Sequence, residues 1–345
     1  MSSEFTDDLR LAHVLADDAD SLSMSRFKAL DLHVVTKPDL TPVTDADKSV
    51  EEAIRRTLSR ARSRDAVIGE EQGSTGHSQR QWVIDPIDGT KNFVRGVPVW
   101  ATLIALMVDD EVVVGCVSAP QLNRRWWASK GGGAWTGRSL MKANPCRVSD
   151  VSDLADASLS YSSLSGWDER DRLDDFLALS RRCWRTRAYG DFWSYMLVAE
   201  GAVDIAAEPE LELYDMAALD VIVREAGGSF SSLDGKPGPF GGNALATNGR
   251  LHDQALAFLG SVYDEDDPEI IVAGLVGSGG GGLTALVMAA REGDLESARA
   301  LVEAGADELP AEGVEGHALR RRWPSRASER RRGGGYRARK RRAPR

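Results

Sequence analysis

The sequence predicts a layered α/β fold, and three observations carry that prediction. The chain opens with apolar residues at helical spacing. A hairpin-rich series of short Val-, Ile- and Trp-rich runs follows, and strand and helix patterns then alternate to about residue 260. With 345 residues, 42% of them hydrophobic, the chain is long enough to bury a large core.

Leu9, Ala12, Leu15, Ala19 and Leu22 predict an N-terminal amphipathic helix with Asp17, Asp18 and Asp20 on its wet face. Pro38 and Pro42 mark an extended loop, and a second helix is expected from about Asp47 to Arg60. Strands are expected at Ala66–Gly69, Gln81–Asp85, Thr102–Val108, Val112–Ser118 and Arg125–Ala128, with Asp109–Asp110–Glu111 as a hairpin turn. The serine-rich run Ser158–Ser165 reads as a loop, with Ser158–Ser163 lining a leaving-group pocket as the alternative, and Asp171–Arg182 reads as a helix. The nine tryptophans, Trp126 and Trp127 among them, are expected in the core or at a dimer interface.

Composition removes several classes of function. No run of eighteen apolar residues is present, so no membrane helix is expected. Glu4, Asp7 and Asp8 stand where a secretory leader would need basic residues. Cys116, Cys146 and Cys183 are odd in number and scattered, which reads as reduced thiols in a cytoplasmic protein. The net charge of −10 divides unevenly: Arg320–Arg345 carries +12 and the remainder −22. An acidic body repels nucleic acid, so only the basic tail has a charge suited to it.

Four segments are expected: a catalytic domain over 1–262, an acidic and glycine-rich linker over 263–282, a helical unit over 283–308 and an Arg-rich tail over 309–345. Gly277–Gly282 formally satisfies Gly-x-Gly-x-x-Gly, with Glu303 downstream, but too little chain follows to complete a dinucleotide-binding sheet. Leu283–Asp307 resembles a single ankyrin repeat, which on its own cannot bury its apolar face. The tail's composition suits a disordered extension, functional or artefactual.

The chemistry concentrates between Gly69 and Phe93. One strand ends in Gly69-Glu70-Glu71 and the next in Asp85-Pro86-Ile87-Asp88-Gly89-Thr90-Lys91-Asn92. Hard carboxylate oxygens at strand ends suit Mg²⁺, and free N–H groups at Gly89 and Thr90 suit a phosphate. Pro86 restrains the backbone so that Asp85, Asp88 and the Ile87 carbonyl can converge. No Gly-x-Ser-x-Gly motif is present, and the Asp85-x-x-Asp88 spacing differs from the Asp-x-Asp of phosphoaspartate enzymes.

Gly69–Glu71, Asp85–Phe93, the run Tyr214-Asp215-Met216-Ala217-Ala218 and Glu225–Gly228 together resemble the inositol monophosphatase family of Mg²⁺-dependent phosphomonoesterases. Tyr214 stands where the family more often has Trp. The resemblance extends from the N-terminal helix to about Gly260. Within the family, Lys91–Pro98 and Arg185–Trp193 are most similar to histidinol-phosphatases of the actinobacterial type.

The resemblance implies an α-β-α-β-α sandwich, a homodimer and a small phosphomonoester substrate. It implies two or three Mg²⁺ ions held by Glu70, Asp85, the Ile87 carbonyl, Asp88 and Asp215. Thr90 would orient a water whose proton passes to Glu70, and Asp47 would support the Thr90 hydroxyl or merely cap its helix. Gly89, Thr90, Gly190, Asp88 and Asp215 would face the phosphate and its ester, and Glu208 a substrate hydroxyl. Asp191 suits a cationic amine, as in histidinol phosphate; Arg187 would either face the phosphate or pair with Asp191. Inositol 1-phosphate or a sugar phosphate is the alternative substrate. An ankyrin-type interaction scaffold is the alternative outside catalysis, and the intact carboxylates weigh against it.

Overall fold

Helix α1 (Thr6–Arg26) buries Ala12, Leu15, Ala16 and Ala19 along the predicted stripe. The wet face departs from expectation at Asp20. Together with Asp17 it receives the guanidinium of Arg125 (2.7 and 2.8 Å), and it also accepts the Ser118 hydroxyl (2.8 Å). Arg125 is itself buried and needs those partners. A short antiparallel pair, β1 (Val34–Thr36) and β2 (Pro42–Thr44), leads into α2 (Asp45–Ala61). A reciprocal capping box starts α2: the Thr44 hydroxyl accepts from the Ala46 and Asp47 amides, and the Asp47 carboxylate accepts from the Thr44 amide.

The first sheet contains β3 (Ala66–Gly69), β4 (Gly73–Thr75) and β5 (Arg80–Asp88). The short helix α3 (Thr90–Arg95) follows, then β6 (Ala101–Val108), β7 (Glu111–Ala119), β8 (Arg124–Ser129), β9 (Ala134–Ser139) and β10 (Lys142–Pro145). Among the described residues it has eight strands, in the order β10-β9-β8-β7-β6-β5-β3-β4, with β3 and β5 parallel. Asp109 and Asp110 both take positive φ (51° and 62°) between β6 and β7, matching the tight hairpin turn expected there.

The second sheet is built from β11 (Ser158–Ser160), followed by helices α4 (Leu164–Asp168) and α5 (Leu173–Arg182). Next come β12 (Arg185–Arg187), α6 (Asp191–Ala199), β13 (Ile205–Glu208), α7 (Leu213–Glu225), β14 (Ser229–Ser231), β15 (Ala244–Thr247) and α8 (His252–Leu259). Its strand order is β12-β11-β13-β15-β14. The start of the serine run is therefore a buried strand and no loop. Its small polar side chains fit because Ser160 and Ser194 exchange a hydrogen bond at 2.7 Å.

Helices α1 and α2 cover the outer face of the first sheet, α6 and α7 lie between the sheets, and α5 and α8 back the second. This is the expected α-β-α-β-α stack. A close approach of α7 to β7 requires Gly115, where a Cβ would lie 2.5 Å from Val221 and 2.7 Å from the Ala218 carbonyl. Trp82, Trp100, Trp126, Trp127 and Trp167 are buried, whereas Trp184 is exposed.

This computed structural model describes residues 4–36 and 42–260. Pro38, the expected linker, the ankyrin-like repeat with the Gly277–Gly282 run, and the Arg-rich tail lie outside the described residues. No helix among the described residues is long and apolar enough to cross a membrane.

Candidate active site

The site forms where β5 ends. Two side chains three residues apart on a regular strand point to opposite faces, because the side-chain period is two. Between Asp85, which pairs with Leu103, and Asp88, which pairs with Ala101, β5 holds one residue more than β6. That bulge resets the parity and tolerates Pro86, which has no N–H to give. The Pro86 carbonyl instead accepts the Thr102 hydroxyl at 2.8 Å. Gly89 then turns the chain with φ +82° into α3; a Cβ there would lie 3.1 Å from the Val99 carbonyl and 3.3 Å from Asp191 Oδ2.

Asp215 joins from the first turn of α7, where the Glu212 amide donates to its Oδ2 at 2.8 Å. One carboxylate oxygen from each of Asp85, Asp88 and Asp215 lies within 4.8 Å of the others. Burial, then neighbouring carboxylates, pushes the carboxyls of Asp85 and Asp88 well above the usual range; burial raises Asp215 to about 7. Asp85 is buried, and its Oδ1 has no hydrogen-bond partner. Among the described residues no Lys or Arg pairs with these three. Hard oxygens crowded together, with one buried lone pair unsatisfied, are the donor set a divalent cation satisfies, so the residues present fit Mg²⁺.

Glu70 follows β3, its amide donating to the Ile84 carbonyl at 3.2 Å, and its charge raises both Asp85 and Asp215. The loop carrying it is held by Glu51, a fully buried residue on α2 that the sequence reading did not single out. Glu51 accepts the amides of Glu71 (2.7 Å) and Gln72 (3.1 Å) and pairs with Arg55 (2.7 Å). A Cβ at Gly69 would press on the Glu51 carboxylate and the Arg55 guanidinium, which would have to shift to admit it. The helical register of α2 placed Glu51 on the buried side, and that was the available signal.

The Thr90 hydroxyl donates to the Ile87 carbonyl at 2.9 Å and stands 3.5 Å from Asp47 Oδ1. Asp47 Oδ2 completes the cap on Thr44, and its Oδ1 is the oxygen that lies toward Thr90. Burial raises its carboxyl to about 6.

Glu70, Asp88, Gly89, Thr90, Asp191, Glu208 and Asp215 all line one cleft of about 510 Å³. Gly190, with φ +82°, precedes Asp191, which opens α6 at φ +48°, a conformation Asp tolerates better than most residues. Glu208 is buried at the end of β13, accepts the Ser162 hydroxyl at 2.6 Å, and is pushed up to about 8 by burial. Asp191 is partly buried and raised to about 6, again chiefly by burial.

Arg187 is the candidate the fold does not bring in. It ends the edge strand β12, is exposed, and gives Nη1 to the Thr186 carbonyl (2.7 Å); neither the cleft nor Asp191 receives it. Asp191 is held instead by Asn92. Ser162, from the serine run weighed as a pocket lining, and Tyr195 also line the cleft. Tyr195 is signalled in the sequence only by its position one helical turn after Asp191.

Comparison with known proteins shows the family and the fold. The family model described as "Inositol monophosphatase family" matches residues 8–261. The histidinol-phosphatase of Streptomyces coelicolor is 66% identical over 264 residues, spanning 75% of this chain and 99% of its own length. That of Mycobacterium tuberculosis is 60% identical over 254 residues, 73% and 98% respectively. Among solved structures, the suhB protein of Bartonella henselae aligns with a TM-score of 0.69 at 27% identity, covering 74% of this chain and 100% of that one. An inositol monophosphatase from Zymomonas mobilis gives 0.67 at 32%, covering 75% and 99%. With its three-carboxylate cluster behind the β5 bulge, the chain belongs to the inositol monophosphatase family.

Proposed function

We infer that the chain hydrolyses L-histidinol phosphate to L-histidinol and phosphate, a step of histidine biosynthesis. The observation that carries this reading is the chemistry of the cleft beyond the carboxylate cluster. Asp191 and Glu208 line it there, and two carboxyl groups suit a leaving group bearing a cationic amine and an imidazole better than a neutral polyol. The two actinobacterial relatives bear the name histidinol-phosphatase and are matched over nearly their whole length, which supports the same reading.

The family's enzymes use Mg²⁺. Glu70, Asp85, the Ile87 carbonyl, Asp88 and Asp215 would hold two or three ions. Bound Mg²⁺ lowers the pKa of a water and neutralises charge on the phosphate oxygens and the leaving alkoxide. The protein's own groups then position and move protons. The Thr90 hydroxyl, set by Ile87 and Asp47, orients the attacking water, and Glu70 takes its proton. Amides at Gly89 and Thr90 receive phosphate oxygens. As the water oxygen bonds to phosphorus, the ester P–O bond breaks with its electron pair going to the histidinol oxygen, which takes a proton from solvent while Glu70 releases to solvent the one it accepted. Asp191 binds the substrate amine, and Glu208, with its raised carboxyl, donates to or accepts from the leaving group's polar end. Water attacks directly, so no phosphoenzyme forms; catalysis is positioning and electrostatics.

The homodimer and the four-segment organisation belong to this proposal. Sedimentation of the full chain tests the first, and truncation after Gly260 with retained turnover tests the second. The substrate assignment is tested by comparing Mg²⁺-dependent phosphate release from L-histidinol phosphate and from inositol 1-phosphate.

A further inference from the structure

Asn92 lies two residues after Thr90, in the helix that follows the carboxylate turn, and its side chain reaches the opening of α6. The two hydrogens of its Nδ2 are both used: one goes to the Val99 carbonyl and one to Asp191 Oδ2, each at 2.9 Å. The second bond joins residues 99 positions apart. Asp191 is also tethered through its backbone. Its amide donates to Ser162 Oγ (2.9 Å), whose hydroxyl donates to Glu208 Oε1, while the next amide, of Phe192, donates to Asp88 Oδ2 (2.7 Å). No hydrogen bond to Asp191 Oδ1 is found among the described residues.

We propose that Asn92 is a positioning residue for leaving-group selection: its amide fixes one oxygen of Asp191 so that the other is aimed at the substrate's ammonium group. This rests on the reading of Asp191 as the amine's partner. An amide is the side chain this task needs. It orients a carboxylate as a neutral donor, adding no positive charge to that of Lys91, which already acts on Asp191 and lines the same cleft. A Lys or Arg in its place would cancel that charge, and an Asp would repel it. The backbone conformation of Asp191, at φ +48°, makes such a side-chain anchor more valuable, since αL is not where an Asp rests unaided. The same Asn92 holds the Val99 segment against Gly89, so the groups facing the phosphate and the group facing the amine share one mount.

The test uses the full-length, Mg²⁺-saturated protein and two esters, L-histidinol phosphate and glycerol 2-phosphate, the second lacking an amine. The readout is the ratio of their kcat/KM values. Asn92→Ala is expected to lower that ratio by about tenfold or more, chiefly through a higher KM for L-histidinol phosphate. The inhibition constant of L-histidinol should weaken similarly, with that of inorganic phosphate moving about threefold at most. Asn92→Ser, which keeps one donor, should fall between. In Asp191→Asn the ratio is already lost, so adding Asn92→Ala should lower it no further. The proposal is overturned if both esters lose rate together and the ratio stays within about twofold, or if the two substitutions multiply. Should Asn92→Ala not fold, Asn92→Ser decides by the same ratio. A wild-type protein with no preference for L-histidinol phosphate overturns the substrate reading itself; a wild-type preference untouched at position 92 overturns only the part given to Asn92.

Discussion

Asp88 Oδ2 accepts the Phe192 amide at 2.7 Å, which binds a carboxylate at the end of the first sheet to the opening turn of α6, in the layer between the sheets. The metal-binding turn and the helix that carries Asp191 are therefore one mechanical unit. Displacing either element moves both ends of the cleft.

The cluster of Asp85, Asp88 and Asp215 is a store of repulsion in the metal-free protein. Asp85→Asn removes one buried charge, so thermal melting in EDTA should occur a few degrees higher than for wild type, a gain of about 1–2 kcal/mol. With Mg²⁺ the order reverses: wild type gains stability from the ion and the variant gains little. Phosphate release by the variant should fall at least about a hundredfold. Calorimetry with and without Mg²⁺ checks both signs.

Glu51 is predicted to matter without touching the substrate. Glu51→Ala leaves Arg55 without its buried partner and frees the amides of Glu71 and Gln72. Urea denaturation should show a loss of about 3 kcal/mol. In Glu51→Gln the amide oxygen still accepts one of those bonds, so the loss should be smaller.

His13 predicts a pH dependence of stability. Burial, and then Arg125, whose Nη1 is 3.2 Å from the ring Nδ1, pushes it from 6.5 to about 4. The folded protein thus holds His13 neutral where the unfolded chain would protonate it. Its stabilisation is fully present above about pH 6.5 and is lost as pH falls from there towards 4, by about 3 kcal/mol at most. Denaturation midpoints at pH 7 and pH 5 should differ less in His13→Gln than in wild type.

Much of the site was legible because its elements are contiguous in sequence: strand, bulge, turn and helix follow one another from Asp85 to Arg95. Asp215 was legible only through the family resemblance of the run Tyr214–Ala218. What escaped depends on distant partners. Arg125 converts Asp20 from a solvated acid into a half-buried one from 105 residues away, and Ser194 permits Ser160 in a central strand. Strands β4, β9 and β10 lack long apolar runs, because edge strands and ribbon ends bury little. Arg187 was drawn in by the resemblance of the run Arg185–Trp193; an edge strand sends it outward.

The measurement that bears most directly on the whole account is Mg²⁺-dependent phosphate release from L-histidinol phosphate and inositol 1-phosphate at matched concentrations, repeated with Asp191→Asn. The account predicts a preference of about tenfold or more for L-histidinol phosphate that collapses in the variant. Comparable rates on the two esters in the wild-type protein, or a preference for the inositol ester, would contradict it.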